Sequence, residues 1–236
     1  MNDLIIQGLV VDWNEIEDTS WLRSISALKN LERLDFSAPV TFFAGENGSG
    51  KSTLLEAIAV AYGFNPEGGT RNYAFSTYDS HSNLYDAMTL IKGYRRPAAG
   101  YFLRAESFYN VATKELEYLE YDSQRYHEKS HGEGFMALAQ NQLKPNGIYL
   151  LDEPEAALSP QRQLSLLLEI YELTKKGAQF IIATHSPILL GTPGAEILSF
   201  DRGRIHPCEY EETDSYQITK MFIDDREGIL RKLLDQ

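Results

Sequence analysis

The sequence has almost no cysteine, no long apolar run and no excess of basic residues. Its single cysteine, Cys208, excludes an internal disulfide and fits a reducing compartment. The longest apolar stretches, 57–64 and 180–190, are shorter than the roughly 18 residues of a membrane-spanning helix. The first 15 residues carry neither a basic leader nor a small-residue cleavage site. We therefore expect a cytoplasmic protein that does not insert into a membrane.

The residues that are present are those of an acidic, folded protein. Of the 236 residues, 43% are hydrophobic and 24% are charged, and the formal net charge is −12. This acidity disfavours tight, sequence-independent DNA binding, although a local basic patch could still provide it. Since neither an internal repeat nor a long flexible linker divides the chain, we expect one domain over residues 1–236.

Short apolar runs alternate with helical patterns along the chain. Strands are predicted at 4–11, 39–44, 100–103, 148–151, 180–183 and 197–200. Helices are predicted at 24–34, 52–62, 114–121, 134–142, 160–176 and 216–234. The helix at 160–176 is amphipathic, with a stripe of Leu164, Leu167, Leu168 and Tyr171. This alternation predicts an α/β fold with a mostly parallel sheet.

Residues 45–52, GENGSGKS, form a phosphate-binding loop between a predicted strand and a predicted helix. The glycines let backbone N–H groups surround a phosphate, Lys51 reaches the β- and γ-phosphates, and Ser52 is a ligand for Mg²⁺. The alternative, an accidental glycine turn, does not explain the strand and helix on either side. Candidate nucleotide-binding residues are Gly45, Glu46, Asn47, Gly48, Ser49, Gly50, Lys51, Ser52 and Thr53.

The apolar strand at 148–151 ends in two carboxylates, Asp152 and Glu153. Ligands of parallel α/β sheets bind at the carboxyl ends of the strands, so both acids are expected beside the phosphate loop. Asp152 is predicted to hold Mg²⁺ through water, and Glu153 to orient or deprotonate the water that attacks the γ-phosphate. As a simpler alternative, two acids at a strand end can act as helix N-caps.

With these two segments, the chain resembles the ABC-type ATPases, a group of P-loop NTPases. Four further segments carry the resemblance, in the order of that family: 104–107 resembles its Q-loop, 130–134 its signature loop, 156–159 its D-loop, and 183–187 its switch segment with His185. Two positions differ, because Glu106 stands where the family has Gln and His131 where a second Gly is common. The order of segments separates this chain from kinases and small GTPases.

The resemblance implies the fold, the cofactors and the mode of action. It implies a mostly parallel sheet flanked by helices, a small antiparallel β part and a short helical lid at about 107–142. It also implies ATP and Mg²⁺ as cofactors, catalysis by Lys51, Glu153 and His185, and Glu106 beside the metal. Two copies would bind head to tail, so that Ser130, Gly132 and Glu133 of one copy contact the ATP bound by the other. Hydrolysis would then release the dimer.

The biological role is less constrained than the chemistry. Only 23 residues separate Glu106 from Ser130, which is short for the subdomain that receives a membrane partner in transporters. We therefore favour a soluble ATPase similar to a miniature SMC head without its coiled coil, acting with an effector protein in DNA repair, genome maintenance or phage defence. The alternative is the ATP-binding subunit of an ABC transporter. A non-hydrolysing ATP sensor is disfavoured, since Glu153 and His185 are both present.

Two sets of residues each allow two interpretations. One group of basic and aromatic residues suits either nucleic acid or ordinary packing and ion pairing. Its members are Arg71, Arg95, Arg96 and Arg104 with Tyr73, Tyr78, Tyr94 and Tyr101. Trp21 is the candidate for stacking on adenine, with core packing as the alternative.

Overall fold

The computed structural model describes residues 3–71, 82–104, 136 and 141–234, and these residues form two β-sheets with helices. The strands are β1 (Ile6–Val11), β2 (Arg33–Asp35), β3 (Val40–Ala44), β4 (Met88–Lys92), β5 (Ala99–Arg104), β6 (Gly147–Asp152), β7 (Gln179–Ala183), β8 (Glu196–Ser199) and β9 (His206–Pro207). The helices are α1 (Lys51–Tyr62), α2 (Pro160–Thr174), α3 (Pro187–Leu190), α4 (Asp214–Asp224) and α5 (Arg226–Leu234). None of the described helices is both long and apolar enough to cross a membrane.

The larger sheet has six strands in the order β5-β6-β7-β3-β8-β9. All its neighbouring strands are parallel except β8 and β9. The crossovers between β3, β6 and β7 bring the carboxyl ends of these central strands to one edge. The α/β fold with a mostly parallel sheet is therefore confirmed.

Alternating side chains of the central strands divide the core into two layers. In β3, Phe43 packs in a cluster with α1 and the small sheet, whereas Phe42 packs in a cluster with α2 and α3. Strand β6 alternates in the same way, with Leu150 on the first side and Tyr149 on the second. Because both faces are covered, the strands are apolar throughout, as expected of a buried parallel sheet.

The small sheet is antiparallel, with the strand order β2-β1-β4. A buried side chain from the large sheet holds it in place. Gln179, at the start of β7, accepts the N–H groups of Ile5 (2.8 Å) and Ile6 (2.9 Å) through Oε1, and its Nε2 donates to the Ile6 carbonyl (2.8 Å). One amide thus joins the two sheets.

Replacing Gln179 with leucine should destabilise the protein. The change would leave the N–H groups of Ile5 and Ile6 and the Ile6 carbonyl without these partners, and we expect a loss of about 2–5 kcal/mol. Urea unfolding followed by circular dichroism measures the difference, with Gln161→Leu on the exposed side of α2 as the matched control. A loss no larger than that of the control would contradict the role given to Gln179.

Three predicted elements differ from the structure. The helix predicted at 24–34 is wrong: a short 3₁₀ turn, Trp21–Ser24, is followed by turns and then by β2. Its apolar residues are buried against the core by i→i+3 turns, as at Leu28 and Leu31, and the segment ends by pairing with β1. The predicted C-terminal helix is divided in two at Asp225. The buried face of α2 also differs from the predicted apolar stripe, because it is formed by Leu166, Ile170 and Leu173.

The structure does not describe the helix predicted at 114–121. Most of the helix predicted at 134–142 and most of the lid predicted at 107–142 also lie outside the described residues. Of the segment 134–142, the structure describes Met136, Asn141 and Gln142, which are helical.

Candidate nucleotide site

The phosphate loop leads from the end of β3 into the first turn of α1. Gly48 and Gly50 have positive φ angles of 77° and 102°, a backbone region that favours glycine. A Cβ atom at Gly50 would lie 2.7 Å from the Ile25 side chain, whereas one at Gly48 would meet nothing within 4 Å. Gly50 therefore allows close packing below the loop, and Gly48 keeps the loop open above.

Lys51 is the first residue of α1 and is almost fully buried. Its Nζ donates to the carbonyls of Gly45 and Glu46, each at 2.8 Å, and so spans the loop. Burial lowers the pKa of the Lys51 ammonium, and the nearby carboxylates of Glu153 and Asp201 oppose that shift. A cation is thus held at the helix N-terminus, next to backbone N–H groups that also favour an anion.

A hydroxyl and a carboxylate meet where α1 and β6 come together. The Ser52 hydroxyl donates to Oδ1 of Asp152 at 2.8 Å, although the two residues are 100 positions apart. Oxygen ligands of this kind suit Mg²⁺. Within the described residues there is no group of three His, Cys, Asp or Glu side chains that could hold a metal alone. A magnesium ion here would need further oxygens from phosphate and water.

The loop also contains a polar atom without a partner. Ser49 Oγ is buried and has no hydrogen-bond partner among the described residues. A buried hydroxyl of this kind is expected to find a partner. Together with Lys51, the open side of Gly48 and the helix N-terminus, it fits a bound phosphate chain. The residues present are therefore suited to a nucleoside triphosphate with Mg²⁺.

Glu153 follows directly after β6 and has an unusual backbone. Its φ and ψ are 47° and 52°, a left-handed conformation that non-glycine residues seldom adopt. Its N–H donates to the Ala183 carbonyl at 2.9 Å, which fixes it to the neighbouring strand β7. The side chain remains 41% exposed. The backbone is thus constrained, while the carboxylate is available at the edge of the sheet.

His185 lies across from this carboxylate, just beyond β7. Its Nε2 is 3.8 Å from Oε1 of Glu153, and its own side chain is 36% exposed. Burial lowers the pKa of His185 and the Lys51 ammonium lowers it further, so the imidazole is neutral near pH 7. Its Nε2 atom has no hydrogen-bond partner within the described part of the chain. This nitrogen is buried, and a buried polar atom is expected to find a partner, so the site fits a further group such as a phosphate oxygen or a water beside it.

Comparison with known proteins agrees with this geometry. A family model described as "AAA domain" matches residues 22–144, which is more than half of the chain and includes the phosphate loop. The chain belongs to the AAA-domain family. A second AAA-domain model, whose description mentions an AbiEii toxin and a type IV toxin–antitoxin system, matches residues 134–191 and includes Glu153 and His185. The protein is accordingly a P-loop ATPase, an enzyme that hydrolyses ATP.

Solved structures similar to this AAA-domain ATPase share little of its sequence. The SMC head domain from Thermotoga maritima is 17% identical, with a TM-score of 0.46 over 87% of this chain and 100% of that one. The ATP-binding cassette MJ1267 of an ABC transporter, in its ADP conformation, is 20% identical, with a TM-score of 0.46 over 93% of this chain and 99% of that one. Comparison with curated proteins gives no match.

Two acidic residues of the AAA-domain ATPase enter the site without having been predicted from the sequence. Asp201 Oδ1 accepts the Glu46 N–H (3.2 Å), and its Oδ2 accepts the Ser199 hydroxyl (3.0 Å), so it holds the start of the phosphate loop. Glu155 Oε1 accepts the His185 N–H at 2.6 Å. In the sequence, Asp201 is marked only as an acid after the apolar strand at 197–200, and Glu155 only as a second acid after Glu153.

Several other predicted residues of the AAA-domain ATPase lie outside the described residues: Glu106, Ser130, His131, Gly132, Glu133, Tyr73 and Tyr78. Trp21 is 57% exposed, so the alternative of core packing is wrong for it.

The predicted basic residues have separate partners in the structure. Arg104 forms an ion pair with Glu56 (2.7 Å), Arg95 donates to Asn146 and to the Gly177 carbonyl, and Arg71 lies over the Tyr62 ring. Three of the four arginines are thus engaged by the chain itself, in agreement with the packing and ion-pairing alternative.

Proposed function

We propose that the site binds ATP with Mg²⁺, hydrolyses it with Glu153 and His185, and closes by head-to-tail association with a second copy of the chain. The observation that carries the proposal is the meeting of Lys51, Ser52, Asp152, Glu153 and His185 at one edge of the parallel sheet. In the sequence these residues are spread over more than 130 positions. Three separate strand ends therefore supply the binding and the reacting groups.

The phosphate loop supplies binding. Lys51 Nζ bonds to two loop carbonyls, and we propose that the β- and γ-phosphates of ATP compete for this ammonium when the nucleotide binds. Gly45, Glu46, Asn47, Gly48, Ser49, Gly50 and Thr53 would surround the phosphates with N–H and hydroxyl groups. Ser52 and Asp152 would hold Mg²⁺, which supplies charge neutralisation at the phosphates when bound.

Glu153 and His185 supply the groups for hydrolysis. The Glu153 carboxylate is partly exposed and lies close to a neutral imidazole. We propose that Glu153 orients the attacking water and accepts its proton, and that His185 contacts the γ-phosphate. The strained left-handed backbone of Glu153 supports a functional position, because such conformations are concentrated at active sites.

A second copy would complete the site. The Glu153 side chain is 41% exposed, so the described residues of one chain do not close the reaction centre around this carboxylate. Phosphoryl transfer benefits from exclusion of bulk water. We propose that Ser130, Gly132 and Glu133 of a second copy cover the γ-phosphate, that Glu106 approaches the metal, and that ATP thereby bridges the two chains. Sedimentation velocity tests this proposal, since ATP with Mg²⁺ should shift the protein from monomer to dimer and ADP should not.

The biological process that ATP hydrolysis drives is proposed only as a class of process. We propose a cytoplasmic ATPase that acts with an effector protein, and the mention of a toxin–antitoxin system by the second family model supports a role in defence or genome maintenance. Measuring ATPase rates with double-stranded DNA, single-stranded DNA and lipid vesicles tests it. Stimulation by DNA that disappears with added salt supports a DNA-linked role. Stimulation by vesicles alone would instead favour the transporter subunit.

A further inference from the structure

Glu155 lies in the turn that follows the candidate catalytic carboxylate. It belongs to a 3₁₀ turn, Pro154–Ala157, that the chain enters through the left-handed backbone of Glu153. The turn is fixed by its own backbone, because the Ala156 N–H donates to the Glu153 carbonyl (3.1 Å) and the Leu158 N–H donates to that of Glu155 (2.9 Å). The Glu155 side chain is therefore not needed to form the turn and is free to bond elsewhere.

The Glu155 side chain bonds to the segment that carries His185. Its Oε1 accepts the His185 N–H at 2.6 Å, over a sequence separation of 30 residues. On the other side of the turn, the Glu153 N–H donates to the Ala183 carbonyl. Two hydrogen bonds thus join the segment that carries Glu153 to the segment that carries His185. The hydrogen bond to Glu155 has a carboxylate as its acceptor, and hydrogen bonds to a charged group are shorter and stronger than neutral ones.

Nothing else among the described residues uses this carboxylate. Oε2 of Glu155 is buried and has no hydrogen-bond partner in the described part of the chain. A buried carboxylate oxygen without a donor lowers stability, and such costs are typically found at functional positions. Packing alone therefore does not explain a glutamate at position 155.

The residues on either side of His185 are held by different groups. The Ser186 hydroxyl donates to Gln163 Oε1 (2.6 Å) and accepts from the first N–H groups of α3, while the Ser186 N–H bonds to Thr184 (3.0 Å). These contacts fix the residues on either side of His185. The N–H of His185 itself is left to Glu155, so this bond sets where the imidazole stands relative to Glu153.

We propose that Glu155 is a positioning residue for ATP hydrolysis. By accepting the His185 N–H, it holds the segment that carries His185 against the turn that follows Glu153, and this contact keeps the imidazole beside the reacting carboxylate. This inference rests on the hydrolysis proposed for Glu153 and His185. The bond that it concerns lies within one chain and is present without nucleotide, so it can also be tested independently of activity.

Steady-state ATPase kinetics of five variants, including His185→Ala alone as the reference for the double variant, test the catalytic part. Glu155→Ala should lower kcat by roughly 10- to 100-fold, as expected for a misplaced reacting group, and leave KM for ATP within about twofold. Glu155→Gln keeps an acceptor for the His185 N–H and should retain most of the wild-type kcat. In a His185→Ala background, Glu155→Ala should cause little further loss, because two residues that act through one contact are not additive. Glu172→Ala on α2 is the matched surface control.

Hydrogen exchange tests the contact itself. The His185 amide should exchange faster in Glu155→Ala than in the wild type, and at the wild-type rate in Glu155→Gln and Glu172→Ala. Unchanged exchange in Glu155→Ala would overturn the inference, as would losses of kcat that multiply in the double variant. If the wild-type protein did not hydrolyse ATP while Glu155 still protected this amide, the proposed function would fail, and the inference would be overturned in its catalytic part alone.

Discussion

Replacement of Glu153 by glutamine should reduce ATP turnover by about 10²- to 10⁴-fold, the usual contribution of a positioned acid or base. The amide has nearly the shape of the carboxylate, but it cannot accept a proton from water. Binding should persist, since the contacts of Lys51, Ser52 and Asp152 are unchanged. The variant should therefore accumulate as an ATP-bound dimer, which sedimentation velocity with ATP and Mg²⁺ would detect.

The same chemical change at a surface position controls for the loss of a charge. Glu172→Gln lies on the exposed side of α2, where the carboxylate forms an ion pair with Lys175, and it should hydrolyse ATP at the wild-type rate. Wild-type turnover by Glu153→Gln, or a variant that stays monomeric with saturating ATP and Mg²⁺, would contradict the role given to Glu153.

Replacement of Lys51 by alanine should weaken ATP binding at least 100-fold. The ammonium is the buried cation at the centre of the phosphate loop, and a charged hydrogen bond contributes about 1.5–3 kcal/mol, so loss of one or two of them accounts for a change of this size. Isothermal titration calorimetry with ATP and Mg²⁺ measures the affinity.

A folding defect must be separated from a loss of binding in this variant. The Gly45 and Glu46 carbonyls lose their donor in Lys51→Ala, so the thermal midpoint should be recorded beside the affinity. Lys175→Ala, which removes an exposed lysine just after the end of α2, is the control and should bind ATP as the wild type does. Unchanged affinity in a folded Lys51→Ala protein would end the interpretation of residues 45–52 as the phosphate site.

The sequence was informative wherever local rules decide the structure. The loop at 45–52 lies between an apolar run and a helical pattern, and the structure has β3, the loop and α1 there, with Gly63 closing the helix in a left-handed conformation. An apolar strand that ends in Asp152 and Glu153 could likewise be located from its composition. By contrast, the segment 24–34 has helix-forming residues, yet its pairing with β1 and burial of Leu28 outweigh that propensity.

Contacts between distant residues could not be predicted in the same way. Gln179 bonds to a strand 173 positions earlier, and Asp201 bonds to a loop residue 155 positions earlier. Glu155 contacts His185 only because β6 and β7 are neighbours in the sheet. Such pairs depend on the strand order, which alternation of strands and helices does not specify. The described residues of the candidate site could therefore mostly be located from the sequence, whereas the residues that hold them in place could not.

The central claim is that each ATP lies between Lys51 of one copy and Ser130 of another, and mixing two inactive variants tests it most directly. Lys51→Ala lacks the phosphate contact but keeps Ser130, and Ser130→Arg blocks the second contact but keeps Lys51. Each variant alone should show almost no ATPase activity. When they are mixed, one site of each mixed dimer combines the intact Lys51 with the intact Ser130, so activity should return in proportion to the fraction of mixed dimers. A mixture that remains as inactive as its two components would contradict the claim.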